Sequence, residues 1–548
     1  MKLNSAISLS PLLVLLLGAC TETVDLTADD GTGDTDGTET GEQDTSDPAP
    51  DDTDMATGGP VCGDGLVEGD EACEPGSEGD EDGLCTPECQ LNACGDGYTF
   101  PDDFEACDDG NALDDDECTN ACEFNVCGDG IIFYGVEGCD DGNDVVGDGC
   151  SSSCEPEQVT QIVAGAAHTC ALLHTGAVRC WGYNGAGALG YGHTETIGDD
   201  DQPAAAGDID LGGIAVQLSA GMFHTCALLD TGAVRCWGTN YAGQLGIPGS
   251  ENIGDDEVPA AGGDVVLGGS AVQITSGDSH TCALLDTGKV RCWGYNDRGQ
   301  LGYGHTETIG DDENPSLAGD VTLGFHSAVQ LSAGARQTCA VLEDGALRCW
   351  GSADTGALGY GNLDDIGDNE TPWSAGNVQL GAKAVQVTTH LRHTCARLET
   401  GEVRCWGGPA IGVPHLKNFI GDDEFPTAVG PVDVGGAVLD ISTGEDHTCA
   451  VLEGGDVRCW GDSSNGQLGY GNTDNVGYSQ HPSAVPTVDL GGAAITSVVT
   501  GYAHTCALVV DGSVRCWGDN SQGQLGLGNT ENVGDDELPV DVDLVRVF

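Results

Sequence analysis

The chain has 548 residues and a formal net charge of −75 at pH 7, because 91 Asp and Glu residues face only 16 Lys and Arg residues. Nucleic-acid binding requires a basic surface that neutralises phosphates, so this charge balance excludes it. An anionic lipid surface is excluded as a docking partner for the same reason, whereas cationic partners and divalent metal ions stay open.

The first twenty residues are typical of an export signal. Their apolar run, Leu9–Leu17, is too short for a membrane span of about 20 residues. The sequence Leu-Gly-Ala-Cys at residues 17–20 resembles a bacterial lipoprotein signal, in which residues 1–19 are removed and Cys20 is lipidated. The resemblance implies membrane attachment through lipid alone. Thr21, rather than Asp, follows the cysteine, which resembles the pattern of lipoproteins sorted to the cell outer membrane or cell surface. Cleavage as an ordinary signal peptide is the alternative.

Residues 21–61 contain thirteen acids, no basic residue and almost no large apolar side chain. Such a segment cannot bury a core, so the sequence predicts a disordered acidic tether over residues 20–61. The 27 cysteines of the chain divide into Cys20, twelve between Cys62 and Cys154, and fourteen further on. Two even sets are typical of an oxidised, exported protein.

Residues 62–158 contain a short repeat that begins three times with Cys-Gly-Asp-Gly, at Cys62, Cys94 and Cys127. Each copy has four cysteines and few apolar residues, so two disulfides per copy must replace the missing core. Four cysteines allow three pairings, and the sequence leaves the choice open. The segment resembles a cysteine-rich repeat of proteins secreted by myxobacteria and their relatives.

The motif Cys-Asp-Asp-Gly-Asn at residues 107–111 and 139–143 groups carboxylate and amide oxygens around glycine turns. Such oxygens suit a hard cation, so calcium is the candidate cofactor, although the spacing is not that of an EF-hand loop. A solvated acidic turn is the alternative, and zinc is disfavoured because cysteines in disulfides cannot bind it. The candidate ligands are Asp108, Asp109, Asn111, Asp140, Asp141, Asn143 and Asp148.

From residue 159 onwards the chain repeats one phrase seven times, most clearly as HTCALLDTGAVRCWG at residues 224–238, with first cysteines 54 to 57 residues apart. A fixed period of this length indicates units that pack on one another. Two apolar segments around Asp-Thr-Gly predict a β-hairpin that places Cys226 opposite Cys236, close enough to bond. Buried free thiols are the alternative. The expected disulfides are Cys170–Cys180, Cys226–Cys236, Cys282–Cys292, Cys339–Cys349, Cys395–Cys405, Cys449–Cys459 and Cys506–Cys516.

Two further segments recur in the copies, one like Asp208–Gly213 (DIDLGG) and one like Ala215–Gly221 (AVQLSAG). Together with the hairpin they predict a unit of about four short strands, which is the blade of a β-propeller. The last copy ends in a segment of the first kind, Val540–Leu544, with no hairpin after it. We therefore expect this segment to complete the first blade and to close the ring. The predicted fold class of residues 159–548 is all-β, a seven-bladed propeller.

The longer phrase HTCALLDTGAVRCWGTNYAGQLG at residues 224–246 resembles the repeat of the regulator of chromosome condensation family. The resemblance covers all seven copies and implies a seven-bladed propeller. A namesake of the family is a nucleotide exchange factor for a small GTPase, but no residue here supports that activity, and a fold does not carry function. The fifth copy departs from the pattern at residues 407–424, which read GGPAIGVPHLKNFIGDDE, and the sixth has Tyr478-Ser479-Gln480 in place of acids.

Three residue types recur at fixed places in the repeat. The tryptophans of the Arg-Cys-Trp triplets are expected to fill the space between blades, and the arginines to pair with acids or carbonyl groups. A histidine precedes Thr-Cys in six copies, with Gln337 in the other. We expect a framework hydrogen bond within each blade at this position, rather than a ring of metal ligands.

A glycine-rich loop in each copy ends in clustered acids. Loops of one class lie on one face of a propeller, so these acids predict an acidic crown that binds calcium or attracts a basic partner, with a solvated rim as the alternative. The binding-face candidates are Asp255, Asp256, Glu257, Asp311, Asp312, Glu313, Asp535, Asp536 and Glu537.

The sequence contains no nucleophile elbow, zinc-protease motif or phosphate-binding loop, so we expect a monomeric binding protein and no enzyme. The predicted function is recognition of a protein or a glycan by one face of an exported, lipid-anchored propeller. The alternatives are a structural envelope protein with calcium-binding acidic loops and, last, a propeller glycosidase.

Overall fold

The computed structural model describes residues of all three cysteine-rich modules and most of the chain after them. The expected signal peptide, the lipidated Cys20, the tether and Asp148 lie outside the described residues. Among the described residues, no helix is long and apolar enough to cross a membrane. These residues are 62, 73, 85–91, 93–98, 106–111, 113–114, 118–133, 136–143, 149–408, 411–414 and 419–548.

Within these residues the chain forms seven antiparallel sheets of three consecutive strands, which we call blades 1 to 7. The strands are β1 (Val159–Ala164), β2 (His168–Leu173), β3 (Val178–Gly182), β4 (Ala215–Ala220), β5 (His224–Leu229), β6 (Val234–Gly238), β7 (Ala271–Ser276), β8 (His280–Leu285), β9 (Val290–Gly294), β10 (Ala328–Ala333), β11 (Gln337–Leu342), β12 (Leu347–Gly351), β13 (Ala384–Thr389), β14 (His393–Leu398), β15 (Val403–Gly407), β16 (Val438–Thr443), β17 (His447–Leu452), β18 (Val457–Gly461), β19 (Ile495–Thr500), β20 (His504–Val509) and β21 (Val514–Gly518).

Helices in the described residues are single turns, and each blade has one that begins with proline, whose fixed φ suits the first helical position. They are α1 (Pro203–Ala206), α2 (Pro259–Gly262), α3 (Pro372–Ala375) and the 3₁₀ turns Pro315–Leu317, Pro426–Ala428, Pro482–Ala484 and Pro539–Asp541, with one further 3₁₀ turn at Asp354–Gly356.

The hairpin of each blade has the register that the sequence predicts. In blade 2, Cys226 lies opposite Cys236 and Leu228 opposite Val234, and Gly232 takes a φ of +80° in the turn. In all seven blades the first cysteine is bonded to the cysteine ten positions later, with Cα atoms 4.0 to 4.1 Å apart. Every blade is therefore closed across its two outer strands by one disulfide.

The three modules before the propeller share one disulfide connectivity, which the sequence left open. In each module the first cysteine bonds to the fourth and the second to the third, so that one bridge is nested inside the other. The pairs are Cys62–Cys89, Cys73–Cys85, Cys94–Cys122, Cys107–Cys118, Cys127–Cys154 and Cys139–Cys150.

The segments that resemble DIDLGG do not form a full fourth strand. In blade 1 the segment makes one backbone hydrogen bond to the outer strand, from Ile209 N to Val178 O at 2.9 Å. Its Leu211 carbonyl instead accepts a hydrogen bond from Arg235 of blade 2. The segment is thus held by one backbone hydrogen bond to its own sheet and by the guanidinium group of the next blade.

The expectation that the C-terminal segment completes blade 1 is wrong. Val545 N donates to Val514 O at 3.0 Å, so the segment pairs with the outer strand of blade 7. Blade 1 reaches the segment from its other side, where Arg179 donates to the carbonyl of Val547. The ring closes by side-by-side packing of blades 7 and 1, as at every other blade boundary, without exchange of a strand.

Candidate interaction surface at the channel mouth

The recurring histidines join neighbouring blades. His168 Nε2 lies 3.0 Å from Thr225 Oγ1 of the next blade, and the Thr225 hydroxyl donates to the Ala188 carbonyl. Because the hydroxyl hydrogen already points to the Ala188 carbonyl, the Thr225 oxygen accepts a hydrogen bond from His168 Nε2. Equivalent pairs follow the ring and close it at His504 and Thr169, also 3.0 Å apart. The expected bond within each blade is thus a bond between blades.

Burial keeps these histidines neutral. It lowers the pKa of His168 to about 3 and that of His504 to about 4. In blade 4, Gln337 takes the histidine's place, and its Nε2 donates to Thr389 Oγ1 at 3.0 Å. With each Nε2 engaged by a hydroxyl, the ring serves as framework and not as a set of metal ligands.

The tryptophans and arginines of the repeat also bind the preceding blade. Trp237 is fully buried, and its Nε1 donates to the Ala188 carbonyl at 2.9 Å. Arg235 pairs with Asp264 of its own blade at 2.7 Å while it donates to the Leu211 carbonyl of blade 1. Both residue types therefore have the structural roles that the sequence predicts, and both are committed to the joints between blades.

The acidic loops lie at these joints too. The backbone of Gly254, just before the triplet Asp255–Glu257, accepts a hydrogen bond from Gly192 of blade 1 at 3.1 Å. The carboxylates of a triplet lie within 4.8 Å of one another, close enough to share a cation. The triplets of different blades form separate clusters. Burial, followed by the bond to the neighbouring Asp, raises the pKa of Glu313 and of Glu537 to about 7.

The candidate calcium ligands of the modules are largely engaged by backbone amides. The Asp108 carboxylate accepts four of them, from Gly95, Asp96, Gly97 and Gly110, at 2.7 to 3.2 Å. These hydrogen bonds outweigh the effect of burial and hold the pKa of Asp108 below its usual value. The carboxylate therefore joins the turn at Gly95–Gly97 to the turn at Gly110.

The other candidate ligands follow the same pattern. Asp140 accepts the equivalent four amides, Asp109 accepts Asn111 N, Asn111 accepts Leu113 N, and Asp141 accepts Cys150 N and Asn143 Nδ2. Asp108 and Asp140, two of the candidate calcium ligands, each already accept four backbone amides, and calcium binding by the modules stays a prediction.

The seven first strands line a central channel whose wall is fixed by side-chain amides. Gln161 of β1 bonds to the backbone of Leu218 in the next blade twice, through Nε2 at 3.1 Å and Oε1 at 2.8 Å. Gln217 and Gln273 repeat this contact. The wall encloses a cavity of about 130 Å³ at the end where the first strands stop.

At this end, the turn between the first and second strand of each blade contains two residues that change from blade to blade. We call these seven pairs the mouth turns: Ala166–Ala167, Met222–Phe223, Asp278–Ser279, Ala335–Arg336, Leu391–Arg392, Glu445–Asp446 and Tyr502–Ala503. Their backbone is uniform. In blade 2, Gly221 N donates to His224 O at 2.8 Å, and a Cβ on Gly221 would lie 2.4 Å from Gly277 O of the next blade.

Tyr502 forms the floor of the mouth by reaching across the channel. Its ring meets His390 of blade 5 edge to face at 5.0 Å, and its hydroxyl bonds to the Asp278 carboxylate of blade 3. Burial raises the pKa of Asp278, against the influence of Tyr502 and Arg336. Burial lowers the pKa of His390 to about 4, and His390 Nδ1 has no hydrogen-bond partner among the described residues.

Aromatic and charged side chains surround this floor. Phe223 packs edge to face on Tyr183 at 5.6 Å, and Tyr241, 65% exposed, holds the Ser279 hydroxyl at 2.7 Å. Glu445 is half-buried. Its pKa is raised by burial and then by neighbouring carboxylates, of which Asp446 is the strongest, against the influence of Arg392.

The sequence reasoning passed over this surface. The signal is the opposite of a repeated motif: two adjacent positions whose pair of residues differs in every copy, between segments that recur. None of the predicted binding-face acids lies in a mouth turn. The mouth surface, defined as the mouth turns with Tyr183, Tyr241 and His390, is the candidate site.

A closed ring of seven blades with a His-Thr ring and buried interblade tryptophans defines a β-propeller of the regulator of chromosome condensation (RCC1) type. The RCC1 repeat model matches residues 159–188, 215–244, 271–300, 328–356, 438–467 and 495–524, and a second model of this repeat matches 287–341, 454–508 and 511–547. The chain belongs to the RCC1 repeat family. A domain of unknown function, DUF4215, matches residues 119–155 in the modules.

Relatives cover most of the propeller. Ultraviolet-B receptor UVR8 of Arabidopsis thaliana is 32% identical over 68% of this chain and 80% of its own length. E3 ubiquitin-protein ligase HERC2 of Homo sapiens is 28% identical over 63% of the chain, which spans only 7% of that protein. Yeast RCC1 (Prp20) bound to Kap60 superposes with a TM-score of 0.53 at 18% identity, covering 70% of this chain and 84% of that one. At this identity the solved structure supports the fold alone.

Proposed function

We propose that the chain is an exported binding protein whose mouth surface recognises a protein partner. The observation that supports this most strongly is the contrast between a uniform frame and seven differing pairs of side chains at one end of the channel. Tyr, Phe and Arg, which are enriched at protein interfaces, occur among them. Loops held by a rigid scaffold are the usual place for binding residues.

The family resemblance supports protein recognition over catalysis. Yeast RCC1 was solved with Kap60 bound, and a second study of Prp20p describes its binding to Gsp1p and histones. The bovine secretion-regulating guanine nucleotide exchange factor is 28% identical over 54% of this chain and 61% of its own length. Exchange activity does not transfer to the present chain, because nothing in the mouth surface identifies a GTPase as partner.

Export and anchoring form part of the proposal. Disulfides in both the modules and the propeller suit an oxidising compartment. A lipid on Cys20 would hold the protein at the cell outer membrane or cell surface. The substitution Cys20→Ser should move the protein from the membrane fraction to the soluble fraction. Mass spectrometry of the N-terminal peptide should find acyl chains on the wild-type protein and none on the variant. Soluble behaviour of both forms would remove the anchor.

Glycan recognition is the second candidate, and a separate cavity favours it. A cavity of about 610 Å³ beside blade 6 is lined by apolar side chains such as Val476 and Leu490 and by the amide and carboxyl groups of Asn472, Asp474 and Gln480. Such a mixture suits a small polar molecule. Binding of a glycan that survives Gln480→Ala would count against this cavity.

Cross-linking tests the proposed protein-binding surface. A photoreactive p-benzoylphenylalanine at Tyr241 lies on the mouth surface, whereas the same group at Asp286 lies in the exposed turn between β8 and β9. With the full chain in its native envelope fraction, a discrete cross-linked protein is expected from Tyr241 and not from Asp286. Equal capture at both positions, or capture at Asp286 alone, would overturn the assignment of this surface.

A further inference from the structure

We propose that the channel mouth is a receptor for a basic side chain, a lysine or arginine that a partner protein inserts between Glu445, Asp278 and Tyr502. The inference rests on the proposed function, since it names the chemistry by which the mouth surface would recognise its partner. It is carried by three separate observations: carboxylates without a cationic partner, an unpaired buried nitrogen, and aromatic walls.

The first observation is a negative charge that the arginines of the mouth compensate only in part. Glu445 is half-buried, and no Lys, Arg or His of the described residues lies within 4.0 Å of its carboxylate. The two arginines of the mouth form their ion pairs with other carboxylates, Arg392 at 3.6 Å from Asp446 and Arg336 at 4.0 Å from Asp297. They act on Glu445 and Asp278 only from more than 4.0 Å away. An ammonium or guanidinium group from a partner would supply the missing charge.

The second observation is the state of Asp278 and His390. The Asp278 carboxylate accepts a hydrogen bond from the Tyr502 hydroxyl but has no ion pair within 4.0 Å among the described residues. Burial raises its pKa. Five histidines of the described residues have a buried Nδ1 without a hydrogen-bond partner, and His390 is the one among them that lines the channel cavity. A buried polar atom left unpaired is destabilising until a donor satisfies it. An ammonium group carries both the donors and the charge that this floor lacks.

The third observation is the aromatic surround and the space. Tyr502 forms the floor and Tyr241 stands exposed near it, so that a cation at the carboxylates would have aromatic rings as neighbours. The cavity of about 130 Å³ has room for several water molecules that a side chain could displace. The negative charge of the whole chain would attract a basic partner over longer distances.

A pair of blocked peptides tests the inference directly. The full chain is titrated by calorimetry at 0.15 M salt with acetyl-Gly-Gly-Lys-Gly-Gly-amide and with the same peptide carrying norleucine, which has no charge. We expect the lysine peptide to bind about tenfold more tightly, and the arginine peptide to behave like it. Affinities within about twofold of each other, or no lysine binding up to about 10 mM, would overturn the inference.

Matched variants locate the site. Glu445→Gln removes one charge from the mouth, whereas Glu453→Gln removes one from the opposite, hairpin end of the same blade. The lysine preference should fall about fivefold in Glu445→Gln and change by less than about twofold in Glu453→Gln. An equal loss in both variants would mean general attraction by a negative protein, which contradicts a defined site.

The cross-linking experiment at Tyr241 separates the two proposals. Capture of a partner at Tyr241 without any lysine preference would leave the protein-binding surface standing and refute the basic side chain. Lysine preference that Glu445→Gln removes, without capture at Tyr241, would leave the cation site standing and refute the protein-binding surface.

Discussion

Two neighbouring positions in blade 6 have opposite relations to the rest of the molecule. His447 bonds to Thr505 of the next blade at 3.0 Å, and burial lowers its pKa to about 3. Glu445, two residues earlier, has no cationic partner among the described residues, and its pKa is raised. The first position repeats around the ring and the second does not.

This difference has a physical origin. Each blade meets an equivalent neighbour, so a residue that satisfies a polar atom across a blade boundary recurs around the ring, and the one exception to the histidine, Gln337, still donates to a threonine hydroxyl. Trp237, Arg235 and His224 are all of this kind. The mouth side chains make no such recurrent contact, and only their backbone is constrained, which leaves them free to differ and to serve a partner. We therefore expect framework variants to alter stability and mouth variants to alter binding.

The largest expected effect is at the buried tryptophans. Trp293→Ala removes a fully buried ring and its hydrogen bond to the Gln244 carbonyl, and should lower the free energy of unfolding by about 3 to 5 kcal/mol. Tyr295→Ala, two residues further at the mouth end, should change it by less than about 0.5 kcal/mol. Denaturant titration of the full chain measures both, and comparable losses would break the distinction between framework and mouth.

The hairpin disulfides should contribute somewhat less. Replacing Cys282 and Cys292 together with serine opens a loop of ten residues, for which the chain-entropy model gives about 3 kcal/mol. The blade should remain folded, because its core and interblade contacts are intact. Far-ultraviolet circular dichroism should keep the native spectrum while the unfolding midpoint falls. A variant that is unfolded in buffer would show that the cystine, rather than the core, holds the blade.

Acid sensitivity should come from the buried histidines. Burial lowers the pKa of His280 to about 3, whereas an unfolded histidine titrates near 6.5. Between about pH 3 and pH 6.5 the histidine binds a proton in the unfolded chain but not in the native protein. The free energy of unfolding is therefore highest above pH 6.5 and falls as the pH drops below it. The slope is about 1.4 kcal/mol per pH unit for each histidine.

Blade 4 supplies the test, because Gln337 already stands at the histidine position. His280→Gln should flatten the fall in unfolding free energy between pH 6.5 and pH 5. Glu313→Gln should act the other way. The pKa of Glu313 is raised to about 7, so native protonation stabilises the wild type as pH falls, and the variant loses that gain. Identical pH profiles for wild type and His280→Gln would contradict a neutral buried ring.

Much of the fold follows from the repeat alone. The hairpin register, the pairing of Cys226 with Cys236 and the burial of the tryptophans depend on residues a few positions apart, which a sequence displays. The partner of the C-terminal segment was missed because it depends on a neighbouring blade. The segment bonds to the backbone of blade 7 at Val514, and the carbonyl of its Val547 accepts a hydrogen bond from Arg179 of blade 1.

The candidate site was harder to predict. Asp278, His390 and Tyr502 come from blades 3, 5 and 7, and no local pattern links them. The acids that looked most like a binding site, such as Asp255–Glu257, lie instead at a joint between blades, where their glycine neighbour bonds to blade 1. Aligning the seven copies and searching for positions that differ would have found the mouth turns.

The smallest expected effect on stability is at Glu445, and it sharpens the comparison most. Burial and the neighbouring carboxylates raise the pKa of Glu445, so neutralising it should leave the native state slightly more stable at pH 7, by less than about 0.5 kcal/mol. Thermal unfolding of Glu445→Gln beside Glu453→Gln measures this. A loss of more than about 1 kcal/mol would place Glu445 in the framework. An unchanged or raised midpoint together with a lost lysine preference would separate binding from folding within a single blade.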